Sequence, residues 1–162
     1  MSYRHIPAMP KEVEYYLNCR PGKICVDGTL GGCGHARKIC ENILPNGLLI
    51  GIDQDMDAIT NAEKILASYA ANIRLFNDNF IHLPDILSQL NIAAVDGILL
   101  DLGISLHQIE NSGRGFSFRA DEPLDMRMNT GSGPTAAEWL AVMEAAHRAG
   151  FRTTATIMFG HI

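Results

Sequence analysis

A short stretch behind an apolar run concentrates the chemistry of this chain. "VDGTLGGCGH", residues 26–35, places four glycines within seven positions and a carboxylate, Asp27, at their entrance. Glycine admits positive φ and lets backbone N–H groups approach a ligand with no Cβ in the way. A helix starting near His35 would offer its first N–H groups to an anionic end of that ligand. Nineteen residues after Gly34 a second apolar run closes on Asp53, where a carboxylate can accept from both hydroxyls of a ribose. The dinucleotide pattern G-x-G-x-x-G does not fit, because Gly32-Cys33-Gly34 is followed by His35, Ala36 and Arg37 where a third small residue should stand. Asp27 would repel a pyrophosphate but receive an ammonium. One ribose acid, one ammonium acceptor and bare backbone for a carboxylate suit a nucleoside that carries a zwitterionic amino acid. S-adenosyl-L-methionine is such a molecule. Each residue also has a plainer reading: Asp53 as a helix cap, with Asp55 the better candidate, Asp27 as a tie for the loop, His35 as an exposed or capping residue and Cys33 as a small filler.

The elements that must hold these residues follow from periodicity. A helix over 11–17 precedes a buried strand, "KICVD" at 23–27, bounded by Pro21-Gly22 and Gly28. A helix from about 35 to 43 leads to a second strand, "GLLIGID" at 47–53, apolar throughout as a strand covered on both faces is. "MDAITNAEKILASYA" carries Ile59, Ala62, Ile65, Leu66 and Tyr69 at helical spacing. A third strand at about 73–76, a helix over 81–90 and a fourth strand, "VDGILLD" at 95–101, complete the alternation. Strand and helix in strict turn predict a parallel sheet with right-handed crossovers and helices on both faces. From 102 to 134 the period stops, and a loop that long in a compact domain is functional or disordered. A helix over 135–149 and a fifth strand within "RTTATIMF" end the pattern.

Composition narrows the partners. With 162 residues, 47% of them hydrophobic, the chain has the size of one domain with a proper core. No apolar run reaches the roughly 18 residues of a membrane span, the start lacks a secretion signal, and a cytoplasmic protein is expected. Cys19, Cys25, Cys33 and Cys40 form no C-x-x-C pair and the six histidines no metal spacing, so free thiols and no metal are expected. A net charge of −5 argues against holding nucleic acid by broad electrostatics. Within the long loop, Arg114, Arg119 and Arg127 could meet phosphates and Phe116 and Phe118 could stack a base or anchor the loop. The loop also holds Asp121, Glu122 and Asp125, so internal ion pairs are the plainer alternative.

"HIPAMPKEV", "VDGTLGGCGHA", "GIDQDMDAI", "GILLDLGIS" with Gln108, "RGFSFRADEPLDMRM" and "TAAEWL" together resemble the RsmH/MraW family over about residues 5–140. That family methylates the N4 amine of a cytidine in 16S ribosomal RNA. The resemblance implies an S-adenosyl-L-methionine-dependent enzyme with small-subunit ribosomal RNA as partner. It implies Cys33, Gly34 and His35 at the cofactor, Asp53 on its ribose, Phe80 near the adenine, and Asp101 and Gln108 completing the pocket. Asp101 is also a candidate catalytic acceptor for the amine, although the Asp/Asn-Pro-Pro-aromatic signature of related amino-methyltransferases is replaced by Asp101-Leu102-Gly103-Ile104. Cys33 stands where the family has a glycine or another small residue. Family members are about twice this length, and the tail over 143–162 looks more like a segment of radical-SAM enzymes of the menaquinone and deazaflavin pathways, without their C-x-x-x-C-x-x-C motif.

The expected architecture is therefore a Rossmann-like, three-layer α/β methyltransferase fold with a mostly parallel sheet, truncated after about five strands. Residues 1–102 form the cofactor-binding core, 103–134 a functional loop, and 135–162 a helix and strand of non-family origin. The expected function is that of a shortened or recombined ribosomal RNA methyltransferase. One rival is a non-catalytic structural half-domain that forms a homodimer through an exposed sheet edge, and a weaker one is a fragment of a nicotinamide-dependent oxidoreductase.

Overall fold

The computed structural model describes residues 7–117, 119, 121 and 155–157. Five parallel strands, β1 (Ile24–Asp27), β2 (Leu48–Asp53), β3 (Ile73–Asn77), β4 (Gly97–Leu102) and β5 (Ala155–Ile157), form one sheet in the order β3-β2-β1-β4-β5. The helices are α1 (Pro10–Leu17), α2 (Gly34–Ile43), α3 (Met56–Ile65), α4 (Leu83–Gln89) and α5 (Leu106–Asn111). The expected helix over 135–149, Phe118 and Arg127 lie outside the described residues, whereas the expected fifth strand is present as β5. Among the described residues no helix is long and apolar enough to cross a membrane.

Side-chain alternation along the strands builds two cores. Cys25, Leu49, Ile73 and Leu99 face one side and pack with Ala36, Ile39 and Ile43 of α2 and Ile59 and Ala62 of α3. Val26, Ile50 and Ile52 face the other and pack with Ile86 of α4, beside Phe76, Leu83 and Ile98. Right-handed crossovers explain the division: the chain steps β1 to β2 to β3 in one direction, which puts α2 and α3 on one face. It then returns across the sheet to β4, which puts α4 on the other. The reversal leaves a crevice between β1 and β4, beyond the strands' carboxyl ends. Asp96 fixes that pair from below, with Oδ2 accepting from the Ile24 N–H at 2.8 Å and Oδ1 from Lys23 Nζ at 2.8 Å.

Three expectations about elements need correction. The helix expected through Tyr69 stops at Ile65 and continues as a 3-10 turn, Ala67–Asn72. Asn72 Nδ2 donates to the Pro45 and Gly47 carbonyls at 2.8 Å each, which draws this segment onto the start of β2. The helix expected from residue 81 begins at Leu83, because Pro84 fits only the first turn of a helix. Phe80–His82 therefore forms a separate 3-10 turn at the mouth of β3. Within the supposed loop, α5 is a helix with a full capping box: the Ser105 hydroxyl accepts from the Gln108 N–H, and Gln108 Oε1 from the Ser105 N–H.

Candidate functional site

Strand register brings three carboxylates to one place. Asp27 of β1 pairs with Gly51 of β2 and with Leu99 of β4. Asp53 and Asp101 each stand two residues beyond those partners, so pleat alternation turns all three side chains to the face that carries α2 and α3. Asp27 is 1% exposed and accepts from the Thr29 N–H at 3.1 Å. Burial, helped by the charges of Asp53 and Asp101 and opposed by the Thr29 N–H, pushes its carboxyl up to about 7. Asp53 is also held above the usual range by burial, against the N–H groups it accepts from. Asp101 is bound to the loop through its backbone: its N–H donates to Thr29 Oγ1 at 2.7 Å.

The glycine loop closes over this acid cluster. Gly31, at φ +43, directs its N–H onto Asp53 Oδ2 at 2.9 Å, and the Asp55 N–H donates to Asp53 Oδ1 at 2.9 Å. Both oxygens of Asp53 are thus oriented by backbone, and with the Gln54 N–H as a third donor the carboxylate still keeps acceptor capacity for a ligand hydroxyl. Cys33 takes the left-handed conformation at φ 62 as N-cap of α2 and is buried, with burial pushing its thiol up to about 12. That makes it an uncharged filler, as the plainer reading had it. The N-cap residue, Cys33, makes no side-chain cap to α2, and the positive end of the helix dipole at that start favours an anionic group. Gly34 is required for another reason: a Cβ there would lie 2.8 Å from Pro7 Cδ, so the segment before α1 packs on the helix start. His35 is buried rather than exposed, with Nε2 3.9 Å from Asp101 Oδ2.

Phe80 reaches the same crevice from β3. Its Cβ lies 3.2 Å from where a Cβ on Gly28 would stand, which places it at the end of β1 beside the loop. The turn beneath it is capped by Asn79, whose side chain accepts from the Ile81 N–H at 3.0 Å. Asp78 is set by the His82 ring and the Asn79 N–H, which hold its carboxyl low although burial pushes it up.

Gln108 is buried on α5 and tied to the turn that follows Asp53. Its amide is shared between the Ser105 N–H and Asp55 Oδ2, to which Nε2 donates at 2.9 Å. Asp55 caps α3 through the Asp57 N–H, as its sequence position suggested. It also takes the Arg114 guanidinium. Phe116 is buried with that guanidinium 5.7 Å from its ring centroid, so it anchors the segment rather than offering a stacking face. Arg119 is exposed. Sequence reasoning missed Thr29, the Asp55–Arg114 pair and the capping box. Only the last had a local signal, Ser105-x-x-Gln108.

The donor set tests which ligand fits. Three acids facing an uncapped helix start accommodate a molecule with cationic and hydroxyl groups on one side and a carboxylate on the other. A pyrophosphate would meet like charge. S-adenosyl-L-methionine fits this arrangement: Asp27 and Asp101 toward its positive centres, Asp53 toward its ribose and α2 toward its carboxylate.

Comparison with known proteins gives the same direction. A family model described as the MraW methylase family matches residues 2–150, past residue 140 and into the tail that had looked foreign. The ribosomal RNA small subunit methyltransferase H of Desulforapulum autotrophicum is 55% identical over 144 residues, 89% of this chain and 46% of its own length. The chain spans about half the length of the curated relatives it matches. A SAM-dependent O-methyltransferase of Thermotoga maritima superposes with a TM-score of 0.52 at 11% identity, over 91% of this chain and 52% of that one. Precorrin 8W decarboxylase of Methanobacterium thermoautotrophicum gives 0.52 at 14% identity, over 93% and 76%. At such identities these two show the Rossmann-like fold alone.

Proposed function

From the premise that the chain belongs to the MraW methylase family, we propose that it binds S-adenosyl-L-methionine and serves methylation of small-subunit ribosomal RNA, at the N4 amine of a cytidine. The observation that carries this is the convergence of Asp27, Asp53 and Asp101 on the uncapped start of α2. The cofactor supplies a methyl group on a sulfonium, whose departure leaves a neutral thioether and needs little acid or base help. Positioning is the chain's task. In this reading the start of α2 at Cys33, Gly34 and His35 faces the amino-acid carboxylate, with the Cys33 N–H itself given to the Leu30 carbonyl, while Asp53 orients the ribose and Phe80 covers the adenine. Gln108 contributes by holding Asp55, which sets Asp53 through its N–H. Asp101 lines the pocket. As a catalytic residue it would accept an N–H of the cytosine amine while the nitrogen pyramidalises, favouring the transition state over the planar ground state.

Titration calorimetry with S-adenosylhomocysteine and with NAD tests the pocket: the reading expects heat from the first alone, and heat from neither would favour the structural half-domain. Methyl transfer to small-subunit ribosomal RNA, followed by nucleoside analysis, tests the rest. Asp101→Asn should leave S-adenosylhomocysteine affinity within a few-fold if Asp101 serves the amine, and weaken it about tenfold or more if it serves the cofactor.

A further inference from the structure

Asp55 is a buried carboxylate, 4% exposed, with donors on several sides. Oδ1 takes the Asp57 N–H at 3.1 Å, while Oδ2 takes Gln108 Nε2 at 2.9 Å and the Arg114 guanidinium. Around this hub Asp57 Oδ2 meets His107 Nε2 at 3.2 Å and Arg114 Nη2 at 3.9 Å. The Arg114 guanidinium is flanked on its other side by the buried ring of Phe116. The segment from Ser105 to Phe116 is thereby pinned to the start of α3 by pairs separated by 50 and 59 residues. The same residue that receives the pin, Asp55, gives its N–H to the ribose acid, Asp53.

We infer that Arg114 is a positioning residue: with Asp55 it forms a latch that couples the segment after β4 to the orientation of Asp53, so that ribose binding and closure of this segment reinforce each other. The chemistry is a half-buried guanidinium on a buried carboxylate, where Arg has an advantage over Lys because it donates from a rigid planar fork. This inference rests on the reading of the pocket above.

The test is a double-mutant cycle on S-adenosylhomocysteine affinity with Arg114→Met, Asp55→Asn and the pair, at a temperature where circular dichroism shows each variant folded. Each single change should weaken binding roughly 5- to 20-fold, and the pair should be no weaker than the worse single, because both break one coupling. Arg114→Lys should recover part of the loss and stands in for Arg114→Met if that variant does not fold. Amide exchange gives a readout that a merely structural role would not move: S-adenosylhomocysteine should slow exchange over 106–110 in the parent and fail to do so in Arg114→Met. Unchanged affinity in a folded Arg114 variant, or losses that multiply in the pair, overturns the latch. A parent that binds no S-adenosylhomocysteine at all sinks the cofactor reading itself, and the latch with it, and is recognised before any variant is made.

Discussion

Asp27 carries two opposite pH dependences. In the folded chain its carboxyl is raised to about 7 by burial, while in the unfolded chain it titrates near the ordinary carboxylate value of roughly 4. Between those values the folded state holds a proton that the unfolded state has released. Stability is therefore fully present below about pH 4 as far as this group is concerned, and it falls as pH rises toward 7. Asp53, also raised, acts in the same direction. Asp27→Asn keeps an oxygen for the Thr29 N–H and has nothing to ionise. At pH 8 it should unfold at a higher temperature than the parent, by about 1–3 kcal/mol of stability, and show a flatter profile of melting temperature against pH. Ligand affinity should run the other way. The ammonium needs the ionised carboxylate, so S-adenosylhomocysteine binding should strengthen from pH 6 to 8 in the parent. In Asp27→Asn it should be weaker at pH 8 by about tenfold or more and nearly independent of pH. A variant that gains stability without losing affinity would place the ammonium elsewhere.

At the scale of elements, what could be read in advance depended on whether the cause was local. Buried parallel strands are short apolar runs between Gly, Pro and Asp, and β1, β2, β3 and β4 were legible for that reason, as was α2 from the glycines before it. Asp53 was legible as a site residue because it ends such a run. Helix α5 was not, since "LHQIEN" has little apolar period and six residues cannot hold a helix unaided. Its stability comes from the capping box and from the Asp55 contacts, so Ser105→Ala should cost about 1 kcal/mol. Amide exchange over 106–110 should speed up while exchange in α2 and β2 stays as it was. Uniform acceleration across the sheet would mean that α5 folds with the core rather than as an appended, separately capped unit. The position of Phe80 turns on Pro84, which sits in the first turn of α4 and leaves Phe80–His82 as a separate turn. The partner of Arg114 had no such signal, because Asp55 lies 59 residues away and only the packed fold brings them together. Residues 111–130 carry three arginines and three carboxylates, and such a neutral stretch reads the same whether its arginines face solvent, RNA or the domain.

At the scale of the whole molecule, the order β3-β2-β1-β4-β5 is what turns three ordinary strand ends into a pocket. Because β1 is flanked by β2 and β4 in matched register, Asp53 and Asp101 stand one pleat beyond Asp27 on either side of it. Without a ligand this is a cluster of like charges held together by the hydrophobic layers beneath it, with Leu49, Ile50, Ile52 and Val26 fully buried. A ligand that brings positive charge and hydroxyl donors removes the conflict at its source, so it should stabilise the whole domain and not only order its loops. By mass action, S-adenosylhomocysteine at one hundred times its dissociation constant adds about 2.7 kcal/mol. For a chain of this size that raises the melting temperature by roughly 5–10 °C. The gain should grow with the logarithm of concentration, be absent with NAD, and shrink in Asp53→Ala, which loses the ribose contacts and frees the N–H groups of Gly31 and Asp55 to solvent. Equal shifts for parent and Asp53→Ala would show that the ribose lies away from β2, and the pocket would then have to be sought outside the crevice that the sheet order creates.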